Sequence, residues 1–200
     1  MKEFYFDNSD KKIIEVGLDE AGRGPLIGRV YAAVVNWGKT EINENVMDSK
    51  KLSSKKRGEV LKWIQNNVDE WAVGWAEPNE IDDINILEAT KLAMSRALDI
   101  LDIKPTHLII DGIGWEKKFP NYKVQSVVKG DANYYSIAAA SIIAKEYHDE
   151  YIKNLCKEKP ELNEKYDLLS NMGYGTKKHL EGIKKYGLSE YHRKTFKLKT

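Results

Sequence analysis

The sequence predicts an α/β fold, a sheet covered by helices on both faces. Short apolar, β-branched runs alternate with longer segments of helical spacing. The longest helical segment is rich in alanine, so it can pack closely against a sheet. A third feature is the last stretch, residues 159–200, which reads as a helical and basic added layer.

Residues 13–18 form the first expected strand and Val30 to Trp37 the second. A helix starts near Ser53, where Ser53 and Ser54 can cap it, and runs to about Asn66. Trp71 to Ala76 reads as a strand that Pro78 and Asn79 break. Ile84, Leu87, Leu92, Ala93, Leu98 and Leu101 then give helical spacing over Ile81 to Leu101, and Pro105 ends it. His107 to Ile110 and Val124 to Val128 are short buried strands. Tyr134 to Leu155 is a long helix with Ile137, Ala140, Ser141 and Ala144 on one close-packing face. Two shorter helices follow, over Pro160 to Leu169 and Lys177 to Tyr186.

The 200 residues are 42% hydrophobic and 32% charged, in keeping with one soluble globular domain. No run of about 18 apolar residues is present, so no membrane span is expected. The start, Met-Lys-Glu-Phe-Tyr-Phe-Asp-Asn, lacks the apolar segment of a secretory signal. Cys156 is the single cysteine, which excludes an internal disulfide and fits a reducing cytoplasm. The small size leans towards a monomer. Net charge is +1, but residues 171–200 carry +6 and residues 48–62 carry +4, which leaves −9 for the rest. Basic segments around an acidic centre suit a polyanion held by its phosphates. A solvated lysine-rich surface would give either segment alone.

Four acids stand out. Asp19 and Glu20 lie in G-L-D-E-A-G-R-G-P, Asp111 in L-I-I-D-G, and Asp131 in V-V-K-G-D-A. Each follows a short apolar run, where an ionised carboxylate is costly unless a cation meets it. Oxygen-rich clusters suit Mg²⁺ or Mn²⁺, and two such ions can clamp both oxygens of a phosphodiester displacement. Metal-dependent hydrolysis of nucleic acid is therefore the leading reading. Plainer roles exist for each acid. On an ideal strand Asp19 and Glu20 point to opposite faces, so they share one site only if the strand is ending there. Asp111 could be half of an Asp-Gly turn, and Asp131 the N-cap of the long helix. Asp149 lies 18 residues after Asp131, ~27 Å away on one straight helix, so it is expected to pair with a lysine or line a margin. Gly22-Arg23-Gly24 can bring backbone N–H groups close to a phosphate or a sugar hydroxyl, but the spacing is neither a P-loop nor a dinucleotide fingerprint.

Together these segments resemble the ribonuclease HII family. The matching stretches are 17–26, D-S-K-K-L-S at 48–53, 81–94, D-G at 111–112, 129–145, G-Y-G-T-K-K-H-L at 173–180 and Y-H-R-K-T-F at 191–196. They occur in family order and span nearly the whole chain. The resemblance implies a ribonuclease H-like fold with a mixed five-stranded sheet, a catalytic domain over 1–158 and a basic helical extension over 159–200 packed on it. It implies an endonuclease acting on RNA/DNA hybrids and on ribonucleotide-containing duplex DNA. It assigns the metal to Asp19, Glu20, Asp111 and Asp131, which makes the cap role of Asp131 secondary. It gives Gly22, Arg23 and Gly24 the sensing of the 2′-hydroxyl at an RNA–DNA junction, and Tyr174 the stacking on the deoxyribose beyond it.

Ser49, Lys50 and Lys51, with the basic C-terminal layer, are expected to hold backbone phosphates. Gly-Arg-Gly, rather than Gly-Lys-Gly, separates the chain from type HIII enzymes. Ile27 and Arg29 depart from the family pattern, as does Glu146-Tyr147-His148-Asp149 in place of Val-Thr-Arg-Asp, so Lys145 and His148 are weaker candidates for substrate contact. The C-terminal Phe-Lys-Leu-Lys-Thr shows no clear sliding-clamp peptide.

Two rival schemes remain at this stage. His179 and His192 sit in basic segments and could touch phosphate, but nothing in the sequence forms a histidine pair at a 2′-hydroxyl, as a metal-free ribonuclease needs. His107, in an apolar strand, reads as packed. A non-catalytic hybrid-binding module would keep the basic segments but would not need four positioned acids.

Overall fold

A computed structural model describes residues 1–6, 12–47, 49 and 52–198. The five strands are β1 (Glu15–Ala21), β2 (Val30–Asn36), β3 (Glu70–Ala76), β4 (His107–Asp111) and β5 (Lys123–Val127). They form one mixed sheet in the order β3-β2-β1-β4-β5. β1 runs antiparallel to β2 and parallel to β4; β2 and β3 are antiparallel, β4 and β5 parallel. β2 is buried along nearly its whole length and its residues alternate between two cores. Tyr31, Ala33 and Val35 face one, and Ala32 and Val34 the other, as a period of two requires.

Helices cover both faces. α1 (Ser54–Asn67) and α4 (Tyr135–Glu158) bury Val60, Ile64, Ala138 and Ile142 against the first core. α2 (Pro78–Ile100) buries Ala93, Met94 and Leu98 with Leu18 and Leu108 against the second. A Cβ at Gly17 would run into Ser136 and Ile137 of α4, so glycine in β1 is what lets this helix lie so close to the sheet. α5 (Pro160–Tyr166), α6 (Leu168–Asn171) and α7 (Lys177–Tyr186) close a third core, in which Leu162, Tyr166 and Ile183 meet Leu26, Ile27 and Ile152.

Four expectations change. β5, expected to be buried, is an edge strand whose residues are exposed or half-buried, and Val128 just beyond it is exposed. α2 starts at Pro78, behind a capping box of Glu77 and Glu80, and is interrupted at Asn85, whose φ of 69° and ψ of 165° are not helical. Pro160 to Leu169 divides at Asp167, a left-handed residue between α5 and α6. A one-turn helix, α3 (Gly130–Asn133), precedes α4, whose N-cap is Tyr134. Asp131 therefore lies inside α3 and is not the cap of the long helix. No helix among the described residues is long and apolar enough to cross a membrane.

Candidate active site

The register of the sheet brings the first acids together. The parallel β1–β4 ladder ends at Leu18↔Ile110. Asp19 and Asp111 are the next residues on these neighbouring strands, at their carboxyl ends, where open α/β sheets build sites. β1 stays paired with β2 as far as Ala21, so the loss of β4, not the end of the strand, opens the space beside Asp19 and Glu20. Asp19, Glu20 and Asp111 line one cavity of about 380 Å³ with Gly22, Arg23, Gly24, Ser49, Ser141, Lys145 and Tyr174.

Asp19 is buried. Its carboxylate accepts from the Glu20 N–H at 2.7 Å. Burial, then the charges of Glu20 and Asp111, push its carboxyl well above the usual carboxylate range, against hydrogen bonds from Ser141 and the Glu20 amide. Ser49 meets Ser141 at 3.0 Å between hydroxyls, so it reaches Asp19 through a second serine. Asp111 accepts from the Gly130 N–H at 2.6 Å. That bond anchors α3 beside the cavity, but Asp131, buried one residue further on, is not among the residues that line it.

Gly22 has a φ of 87°, and a Cβ there would meet the His148 ring and the Arg29 carbonyl. Arg23 bridges back to Glu20 at 3.2 Å. The Tyr174 ring stands against Gly24: a Cβ there would lie 3.1 Å from it. The Lys145 ammonium lies 5.8 Å from the Tyr174 ring centroid and pairs with Asp149 at 2.8 Å. Asp149 also binds Arg57 at 3.2 Å and His148 at 3.1 Å, and Arg57 pairs with Glu146. Asp149 is thus an anchor behind the cavity, as its expected lysine pairing implied.

Ser141, Lys145 and Asp149 recur every four residues on α4. This spacing was the available signal for Ser141, which the reading of the sequence placed only on a packing face, and for Lys145, which it held a weaker candidate for substrate contact. Lys50 and Lys51 lie outside the described residues. His179 and His192 do not reach a surface where they could touch phosphate: both are buried, with their Nε2 atoms 3.0 Å apart.

Among the described residues no three His, Cys, Asp or Glu side chains converge in an arrangement ready for one ion. The donor set still fits a hard divalent cation, since three carboxylates and two serine hydroxyls share one cavity. A cation is also what would offset the cost of ionising Asp19.

Comparison with known proteins agrees. The family profile described as Ribonuclease HII matches residues 16–199. The Ribonuclease HII of Bacteroides thetaiotaomicron is 49% identical over 189 residues, covering 94% of this chain and 92% of that protein. The structure of the PCNA:RNase HII complex from Archaeoglobus fulgidus superposes with a TM-score of 0.75 at 26% identity, over 94% of this chain and 97% of that one. The ribonuclease H2 of Pyrococcus horikoshii does so with a TM-score of 0.73 at 28% identity, over 92% and 94%. The fold is accordingly ribonuclease H-like, and the chain belongs to the ribonuclease HII family, enzymes that cleave the RNA of RNA/DNA hybrids.

Proposed function

We propose that this chain hydrolyses RNA/DNA hybrids and also nicks duplex DNA 5′ of a single embedded ribonucleotide, leaving a 3′-hydroxyl and a 5′-phosphate. The observation that carries this is the buried Asp19, which feels the charges of Glu20 and Asp111 and shares one cavity with them, Gly22–Gly24 and Tyr174. Asp19, Glu20, Asp111 and Asp131 would hold Mg²⁺ or Mn²⁺, two ions in all. Bound there, the ions would lower the pKa of a water and neutralise the leaving 3′-oxygen.

The chain's own groups do the selecting. Backbone N–H groups of Gly22–Gly24 can approach a ribose closely because glycine lets the loop turn at a φ of 87° and pack tightly against His148, Arg29 and Tyr174. The 2′-hydroxyl distinguishes RNA from DNA at one position; here it is read and does not attack. Tyr174 offers a flat apolar face to the deoxyribose on the far side of the junction. Ser49, Lys50, Lys51 and the basic layer of residues 159–200, packed on the catalytic domain of residues 1–158, hold the phosphates. The Archaeoglobus relative's complex with PCNA makes a sliding clamp a partner to test here too, although Phe196-Lys197-Leu198 does not resemble a clamp-binding peptide.

The test is cleavage of a duplex carrying one ribonucleotide, with Mg²⁺, with Mn²⁺ and with EDTA, mapped to the nucleotide. A metal-dependent nick just 5′ of the ribonucleotide is expected. Cleavage of long hybrids alone would remove the junction-sensing role of Gly22, Arg23, Gly24 and Tyr174.

A further inference from the structure

Arg193 is buried, yet among the described residues no carboxylate pairs with it. All five N–H groups of its guanidinium are used, each on a backbone carbonyl of one loop. Nε donates to Gly28 at 2.9 Å. One terminal nitrogen donates to Arg23 at 3.1 Å and Pro25 at 2.7 Å. The other donates to Gly22 at 2.6 Å and Arg29 at 3.0 Å. Five carbonyl dipoles thus face one cation and fix the path of residues 22–29. Burial pulls the guanidinium down to about 10, so it stays charged at neutral pH.

Its neighbour His192 holds the other half. The Ser189 N–H donates to His192 Nδ1 at 2.9 Å, so Nδ1 is an acceptor and the proton sits on Nε2. That proton points at His179 Nε2, 3.0 Å away. His179 therefore carries its own proton on Nδ1 and donates it to the Tyr174 carbonyl at 2.9 Å. Burial lowers both imidazoles, His192 to about 4, as two neutral rings in series require. Backbone bonds lace the halves: Leu26 donates to Gly173 at 2.8 Å, Arg193 to Leu26 and Gly28 to Tyr191, both at 2.9 Å.

We propose that His192 and Arg193 form a positioning clasp that sets the Gly22–Gly24 loop and Tyr174 in register, and so determines the preference for a single ribonucleotide without touching substrate. This rests on the junction-sensing reading of Gly22–Gly24 and Tyr174. Lysine cannot replace the clasp, since one ammonium has three donors and no planar fork.

The measurement is kcat/KM on a single-ribonucleotide duplex relative to a long hybrid, for the full-length protein and for Arg193→Lys, Arg193→Ala, His179→Phe and Tyr174→Ala. Arg193→Lys is expected to lower that ratio by about 10- to 100-fold, the scale of a small misplacement of positioning groups. The loss should fall mainly in kcat, and added guanidinium ion should restore part of it in Arg193→Ala. His179→Phe should lower the ratio as well, and it carries the test if the Arg193 variants do not fold. A ratio unchanged in Arg193→Lys and His179→Phe but lowered in Tyr174→Ala would overturn the clasp and leave the junction reading standing. A ratio unchanged in all of them would remove the junction reading and the clasp with it. Equal losses on both substrates would also overturn the proposal, since a merely structural arginine gives that result.

Discussion

At the scale of single residues, the chemistry turns on where carboxylates are forced to meet. Asp111 accepts the Gly130 N–H, and an asparagine keeps an oxygen able to do so. Asp111→Asn is therefore expected to fold and to bind hybrid, while cleavage falls by at least about 100-fold, because several kcal/mol of charge stabilisation are at stake. Gel shifts beside single-turnover cleavage check this; retained cleavage would favour a different catalytic centre, and a fold loss would make Asp111 structural. Asp19 adds a pH effect. Its carboxyl sits high through burial, Glu20 and Asp111, so a cation must displace a proton at lower pH. The Mg²⁺ concentration giving half-maximal activity should fall as pH rises from 6.5 to 8.5; a flat or reversed trend would separate Asp19 from metal binding. These acids were legible because each closes an apolar run. Ser141 and Lys145 were harder to see, because only their four-residue spacing to Asp149 along α4 marks them, and Ser141 reads as one more small residue of the close-packing face.

At the scale of elements, strand and helix order could be read from periodicity, and Lys177–Tyr186 is found as expected. Interruptions were harder to see. Asn85 sits inside an unbroken helical pattern, yet it occupies a backbone region where only glycine is at ease. Its side chain explains its presence, since Oδ1 accepts from Leu87 at 2.9 Å and Glu88 at 3.2 Å and caps the second part of α2. Asn85→Ala loses the cap and keeps the strain, and should cost about 1–2 kcal/mol. Asn85→Gly loses the cap but relieves the strain, and should stay within about 1 kcal/mol of the parent. Urea unfolding midpoints rank the three; alanine equal to or above glycine would overturn this account. Likewise, the alternation along β1 implied that Asp19 and Glu20 diverge. Register with β4, set by residues 92 positions away in sequence, decides that they share a cavity.

For the whole molecule, three of the four histidines, His148, His179 and His192, are buried, and burial lowers each of them. In the unfolded chain they titrate near 6.5. The unfolded state then binds more protons below that pH, so stability is full above about 6.5 and declines as pH falls towards 4. Asp19 and Glu15, which burial raises, act in the opposite sense and offset part of the decline. Thermal melts should show a Tm that falls between pH 7 and 5, more steeply in Asp19→Asn and Glu15→Gln, which remove the offset; a constant or rising Tm in those variants would mean the imidazoles are charged when folded. The arrangement that joins Arg193 to Gly22–Arg29 also has a consequence for synthesis. All four acids have left the ribosome long before the guanidinium that completes the reading loop, and a contact spanning some 170 positions closes late. On the proposed roles, a nascent chain stalled before position 193 would carry the four metal-holding carboxylates without the clasp, and its cleavage would lack the discrimination that the complete loop supplies.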